Sequence, residues 1–206
     1  MYLEIKKKLK LGIFLIVILA AILRLYNLGS HPVSIYWDEA AIGYNAYSIA
    51  QTGADEYGKK WPLSFESFND YKLPGYIYLD AIFVKFLGPS EFSVRLPSAL
   101  AGVLVVILIY VLTKKLFEDS KYQLSIAHIS ALMLAISPWH LQLSRAAFET
   151  NIALTIVLLG IYLLIFGTRS RLAAFISIPI MSLSFYFYYS SYTFVPLILI
   201  AFFLIY

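Results

Sequence analysis

The stretch that decides the fold is LKLGIFLIVILAAILRLYN, residues 9–27, which follows Lys6, Lys7 and Lys8 near the start of the chain. It is apolar over close to the roughly 20 residues a helix needs to cross the hydrocarbon core of a bilayer. The basic residues ahead of it are those of a signal-peptide start, but no convincing small-residue cleavage site precedes Arg24-Leu25-Tyr26, so the run is read as a retained signal anchor. Working outward, comparable runs place further spans at about 94–113, 123–138, 151–167, 172–189 and 192–206. Their Leu, Ile, Phe and Ala content lacks the two-residue alternation of an outer-membrane barrel, and helices are expected. Composition agrees: 61% of residues are hydrophobic and 14% charged, with a mean hydropathy of +0.77, far from the soluble average of roughly 45–50% apolar and 25% charged. The expectation is an all-α polytopic membrane protein with about six spans.

Cysteine is absent, which excludes disulfides, thiolate metal sites and a cysteine nucleophile. Charge must therefore set the topology. These spans put Lys6, Lys7, Lys8, Lys10, Lys114, Lys115, Lys121, Arg169 and Arg171 on one side, nine of the 16 basic residues. The positive-inside rule makes that side cytoplasmic. Residues 28–93 then form a long outer loop with Asp38, Glu39, Asp55, Glu56, Glu66, Asp70, Asp80 and Glu91, eight of the 12 acidic residues. The net charge of +4 reflects topology, since the basic residues flank spans and make no aromatic-interleaved basic surface; nucleic-acid binding is not expected.

Within the outer loop, Ile42, Ala46 and Ile49 recur at helical spacing with Tyr44 and Tyr47 beside them, which predicts an amphipathic helix over 38–51 lying along the membrane surface. A turn-rich stretch with Gly53, Gly58 and Pro62 follows. Leu73-Pro74-Gly75 then opens a second apolar segment to Leu87, with Pro74 suited to a first helical turn. Asp80 and Lys85 interrupt that segment, it is short for a span, and crossing would put Lys114 and Lys115 outside; an interfacial or re-entrant helix is expected. Leu96-Pro97 is placed near the start of the next span. A further outer loop from Ser137 to Asn151 carries Trp139, His140, Arg145 and Glu149, charges that could complete the same site. The chain ends in an apolar run with no charged anchor after it, and the sequence reads as a single membrane domain, 1–206, that forms the N-terminal part of a longer one.

Four segments in order, WDEAAIGYNAY at 37–47, DYKLPGYIYL at 70–79, EFSVRLPSALAG at 91–102 and SPWHLQLSRAAFETN at 137–151, give the chain a resemblance. It resembles the GT-C membrane glycosyltransferases of the protein O-mannosyltransferase and aminoarabinose-transferase type, which usually have more spans and often a further C-terminal region. The resemblance implies an enzyme that moves a sugar from a polyprenyl-phosphate carrier to a protein, lipid or glycan acceptor on the outer face of a bacterial or archaeal cytoplasmic membrane. Such transfer needs an acceptor hydroxyl made nucleophilic and a counter-charge for the departing phosphate.

Asp38 matches the family's acidic position in its first outer loop and is the expected general base; the competing reading is a helix N-cap, with Glu39 favouring the same helix end. Glu39 is expected to support catalysis or, with Asp70, to ligate a divalent cation, the one candidate cofactor. Lys72 matches the basic residue of the family's Lys-Pro segment and is the expected contact to the lipid phosphate, against an interfacial lysine reaching for water. Arg95 and Arg145 are further phosphate candidates, or else interface anchors and partners for Glu91 and Glu149. Two departures stand out: Tyr71 precedes Lys72 where the aminoarabinose-transferase type commonly has Glu, and Ala41 stands where a basic residue often follows the acidic pair. His140 is read as a polar interface residue, and Phe185-Tyr186-Phe187-Tyr188-Tyr189 as an aromatic belt, the alternative being a run that lines a sugar or lipid groove through ring stacking. The alternatives are a transporter or flippase, disfavoured because the expected span cores carry few ionisable residues, and a non-catalytic scaffold, which would tolerate replacement of Asp38.

Overall fold

The computed structural model describes residues 2–67, 70–167 and 170–205, with side chains from Leu11 onward. Its helices are α1 (Tyr2–Leu25), α2 (Trp37–Thr52), α3 (Pro74–Leu87), α4 (Glu91–Leu116), α5 (Gln123–Ile136), α6 (Pro138–Ser144), α7 (Glu149–Gly167), α8 (Arg171–Leu183) and α9 (Ser191–Ile205), with a 3₁₀ turn at Ser184–Tyr186. One small hairpin interrupts this helical order: β1 (Phe65–Ser67) runs antiparallel to β2 (Asp70–Lys72), pairing Phe65 with Lys72, Glu66 with Tyr71 and Ser67 with Asp70.

By length and composition, α4 and α7 are each able to cross a membrane, and α5 with α6 make a third candidate bent by 60°. The bend falls at Ser137-Pro138, because proline lacks the N–H that would continue α5 and restricts the residue before it. Three shorter apolar helices cover Leu11–Leu25, Arg171–Tyr186 and Ser191–Ile205. Among the described residues two helices, or three spans if the bent pair counts as one, are long and apolar enough to cross, where the sequence suggested six. The expected fifth-to-sixth boundary shifts as well, since the 172–189 run breaks after Leu183 into the 3₁₀ turn.

The two ends of the bundle differ in charge. Gly12 of α1 lies against His128 in the second turn of α5, and the Gln123 side chain donates to the Lys114 carbonyl at the end of α4. Lys114, Lys115, Gln123 and Tyr162 line one pocket. The basic end of α4, the start of α5 and the end of α7 therefore gather together. Arg169 lies outside the described residues. At the opposite end the loop after α1, the start of α2 and the turn before α7 meet, as the bonds of Arg95 and Glu39 show below.

Small residues permit this packing. Ala127, Ala131 and Ala135 recur every four residues on α5 and are fully buried, and Ala131 and Ala135 close on Ile16 and Ala20 of α1 and Val106 of α4, as in membrane helix pairs where small side chains let backbones approach. At Gly102 of α4 a Cβ would lie 2.5 Å from that of Ser144 and 2.9 Å from Arg24 Nε. A second core joins α2, α3, α4 and α7 through Ile42, Ala46, Ile49, Tyr76, Val94 and Ile152. The expected face of α2 is the buried one, while Tyr44 and Tyr47 are exposed. Pro74 is the first residue of α3, which at 14 residues is about 21 Å long, short of the ~30 Å hydrocarbon core. Pro97 is not near a helix start: α4 begins at Glu91 behind a Ser90 cap, whose hydroxyl accepts from Ser93 N at 3.2 Å.

Candidate active site

Asp38 is the second residue of α2, with Tyr36 in the capping position, so it does not serve as the N-cap that its sequence position allowed. Its carboxylate forms an ion pair with Lys72, whose Nζ also lies 3.8 Å from Asp70 Oδ2. The hairpin brings Lys72 there: it ends β2 opposite the fully buried Phe65 and turns inward, while Asp70 and Tyr71 stay exposed. Lys72 is 7% exposed and Asp38 36%. The cation is sheltered and the carboxylate is open to an incoming molecule. Glu149, the first residue of α7, is within electrostatic reach of Lys72, Asp38 and Asp70. The Tyr189 hydroxyl reaches across to donate to the Tyr71 carbonyl at 2.9 Å, and at Gly75 a Cβ would meet the Tyr186 carbonyl at 2.6 Å and the Phe187 ring. The aromatic run therefore folds against the start of α3, beside the cluster.

Glu39 has a different role from its neighbour. Arg95 grips it with Nε on Oε1 at 2.9 Å and Nη2 on Oε2 at 3.0 Å; Tyr36 N donates to Oε2 at 3.0 Å and Ala147 N to Oε1 at 2.8 Å. Four donors occupy a carboxylate that is 2% exposed. Glu39 closes the start of α2 as the reciprocal half of a capping box and ties it to α4 and to the turn before α7. Arg95 spends its remaining donors on the carbonyls of Leu28, Pro32 and Ser34. Arg145 donates to the carbonyls of Leu23, Arg24, Tyr26 and His31, closing the C-terminal end of α1. Both arginines were candidates for lipid phosphate; Arg95 is engaged by Glu39 and by carbonyls of the loop after α1, and Arg145 by carbonyls that the end of α1 leaves unpaired. Arg24 does the same for Leu134 and Ala135 at the end of α5 and donates to His140 Nδ1 at 2.8 Å. His140 is 5% exposed, a buried partner of Arg24 rather than an interface residue.

A divalent cation wants several oxygen ligands. Here an ammonium already sits between Asp38 and Asp70, and the oxygens of Glu39 are taken. Among the described residues no three His, Asp or Glu side chains are placed to hold a metal ion. The residues do not fit the cation expected on Glu39 and Asp70, and no step below runs through one.

One further carboxyl is buried. Asp80 on α3 is fully enclosed, and neither oxygen has a hydrogen-bond partner among the described residues. Desolvation pushes it up to about 8. One turn earlier Tyr76 is equally buried and donates to the Val94 carbonyl at 2.9 Å. The sequence reading gave Asp80 no role beyond interrupting an apolar segment.

An open carboxylate beside a sheltered cation, at the end of a helical bundle opposite its basic turns, has the parts of a group-transfer site. The chain matches the dolichyl-phosphate-mannose-protein mannosyltransferase family over residues 72–206, well over half its length, and it belongs to that family. It is a glycosyltransferase of the GT-C, mannosyltransferase type. The match opens at Lys72 and takes in Arg95, Arg145 and Glu149, whereas Asp38 and Glu39 precede it. No curated protein and no solved structure matches the chain.

Proposed function

We propose that this protein transfers a sugar from a polyprenyl-phosphate carrier to an acceptor hydroxyl on the outer face of the membrane, in one displacement that inverts the anomeric centre. The acceptor oxygen attacks the anomeric carbon as the bond from that carbon to the phosphate oxygen breaks. Asp38 takes the hydroxyl proton, and the electron pair leaves with the polyprenyl phosphate, whose growing charge Lys72 meets. Donor binding draws Lys72 from Asp38 to the phosphate and frees the carboxylate to act as base. The single observation that carries this reading is the pairing of a half-open Asp38 with a buried Lys72, supplied by two segments 34 residues apart.

The outer placement is supported by the opposition of the site to the basic turn at Lys114, Lys115 and Lys121. The family's name makes mannose on dolichyl phosphate the first donor to try, with other hexoses and pentoses next, and protein, lipid and glycan hydroxyls are the acceptors. Membranes containing the protein, extended to its natural end if one exists, are given labelled polyprenyl-phosphate sugars. Release of polyprenyl phosphate with transfer of label, lost in a folded Asp38→Asn variant, supports the mechanism. Equal release by the variant removes Asp38 as base, and retention of the donor's anomeric configuration in the product rejects the single displacement.

A further inference from the structure

A second pocket, of about 480 Å³, lies at the far end of α2, between that helix, α3 and the loop after Thr52. Fourteen residues separate Thr52 from Asp38, about 21 Å along the helix, so the pocket is distinct from the Asp38–Lys72 cluster. Its floor is apolar, formed by Ile49, Ala50, Ala81 and Ile82, and its walls include Trp61, Tyr78, Lys60 and Lys85. Neither lysine has an ion pair among the described residues, and both are exposed.

Trp61 is the residue that calls for explanation. It is 66% exposed, so burial does not repay its placement, yet its backbone is held at φ 46°, a left-handed conformation that costs energy in any residue with a Cβ. Three features hold it there. Ala54 and Lys60 form an isolated bridge, Trp61 N donates to the Gly53 carbonyl at 3.0 Å, and Gly53, itself at φ 71°, lies under the indole, where a Cβ would come within 3.3 Å of the ring. The indole then stacks on Tyr78 with ring centroids 6.0 Å apart and planes 15° from parallel, and the Tyr78 hydroxyl is anchored on the Pro62 carbonyl at 2.9 Å. A strained backbone that fixes an exposed aromatic ring beside unpaired cations is the signature of a ligand site.

We infer that this pocket binds the headgroup of an anionic glycerophospholipid of the surrounding leaflet. Two free ammonium groups suit a phosphodiester. The paired Trp and Tyr belong at the headgroup level, and the apolar floor continues outward to the exposed Ile82 and Phe86 of α3, where acyl chains begin. The lining includes no carboxylate or carboxamide side chain of the kind that reads sugar hydroxyls, and the Tyr78 hydroxyl is already engaged by the Pro62 carbonyl. The site would seat α2 and α3 on the membrane surface, and the assignment does not depend on the transferase reading.

The test is native mass spectrometry of the full chain released from nanodiscs of mixed phosphatidylglycerol and phosphatidylcholine. Phosphatidylglycerol should be retained about tenfold over phosphatidylcholine, and the preference should vanish in Lys60→Gln/Lys85→Gln and weaken in Trp61→Ala. Lys59→Gln removes a neighbouring charge outside the pocket and should leave it intact; loss of preference there as well would reduce the effect to general surface charge and overturn the site. Equal retention of the two lipids, or an unchanged preference in the double variant, also overturns it. Displacement of the lipid by millimolar glycerol phosphate assigns the pocket to soluble phosphate instead, and displacement by polyprenyl phosphate at equal concentration assigns it to the sugar carrier.

Discussion

Asp38 and Glu39 are neighbours in the chain and belong to regions built on opposite terms. Around Glu39 the carboxylate is fully matched: Arg95 holds it in a two-point grip, and Arg95, Arg145 and Arg24 between them satisfy carbonyls at the ends of α1 and α5 and along residues 28–34. Around Asp38 the arrangement is incomplete, with a half-open carboxylate, a sheltered lysine and two more carboxylates, Asp70 and Glu149, facing one cation. Arginine suits the first region because its planar, permanently charged fork serves several acceptors at once. Lysine suits the second because a single mobile ammonium can exchange one anion for another. The difference teaches where function should be sought: a carboxylate whose acceptors are all taken holds a fold, and a half-open one is available to a substrate.

Substitution at each region should separate the two roles. Asp38→Asn is expected to lower sugar transfer by about 10³-fold, the middle of the range for loss of a general base, with a much smaller effect on stability, because Asp38 is half open and Asp70 and Glu149 remain near the Lys72 cation. A thermal midpoint that collapsed with activity would move Asp38 into the structural region. Arg95→Gln should do the reverse, destabilising the fold by about 3–5 kcal/mol by leaving a buried carboxylate unpaired, measured by denaturation in detergent. If Arg95→Gln folded as wild type and only raised KM for the donor, the phosphate role suggested by the sequence would be restored and the comparison broken.

Lys72→Gln should raise KM for the lipid donor and lower kcat together, on the order of 10–100-fold in kcat/KM, and Lys72→Arg should recover part of the loss. Asp80→Asn probes a buried charge belonging to neither region. The folded carboxyl, raised to about 8, lies above the ordinary value near 4, so the native state holds its proton where the unfolded chain has released it. The stability associated with the neutral acid is fully present below about pH 4 and is lost as pH rises towards 8. Asp80→Asn should therefore flatten the pH dependence, with a gain over wild type that is greatest at pH 8 and fades by pH 4; a gain independent of pH would exclude titration of Asp80 as its origin. The smallest effect is expected for Arg145→Gln, about 1–2 kcal/mol from lost bonds to carbonyls that water can partly replace, with transfer activity kept in the folded fraction.

Much of the secondary structure was legible. The buried stripe of α2 follows from Ile42, Ala46 and Ile49 at helical spacing, and Pro74 and Gly88 bracket α3 in the sequence as they do in space. The hairpin escaped because three-residue strands are too short for alternation to stand out, although it is what delivers Lys72. The bend at Pro138 and the break after Leu183 were hidden inside runs whose hydropathy is uniform. The family resemblance singled out Asp38 as the base and Lys72 ahead of the arginines, but the residues by themselves did not separate them, since each is a charged residue near an interface, and nothing in the sequence showed that Arg95 is bound to Glu39.

The sequence by itself determined that this chain lives in a membrane as helices, that one end is basic, and that acidic residues concentrate between α1 and α4, because hydropathy and charge order are properties of composition along the chain. Only the tertiary structure decided which of those charges are already spent. A hydrogen bond to a carbonyl 67 residues away, as from Arg95 to Leu28, leaves no local trace in the sequence, because the partner is a backbone group that every residue carries.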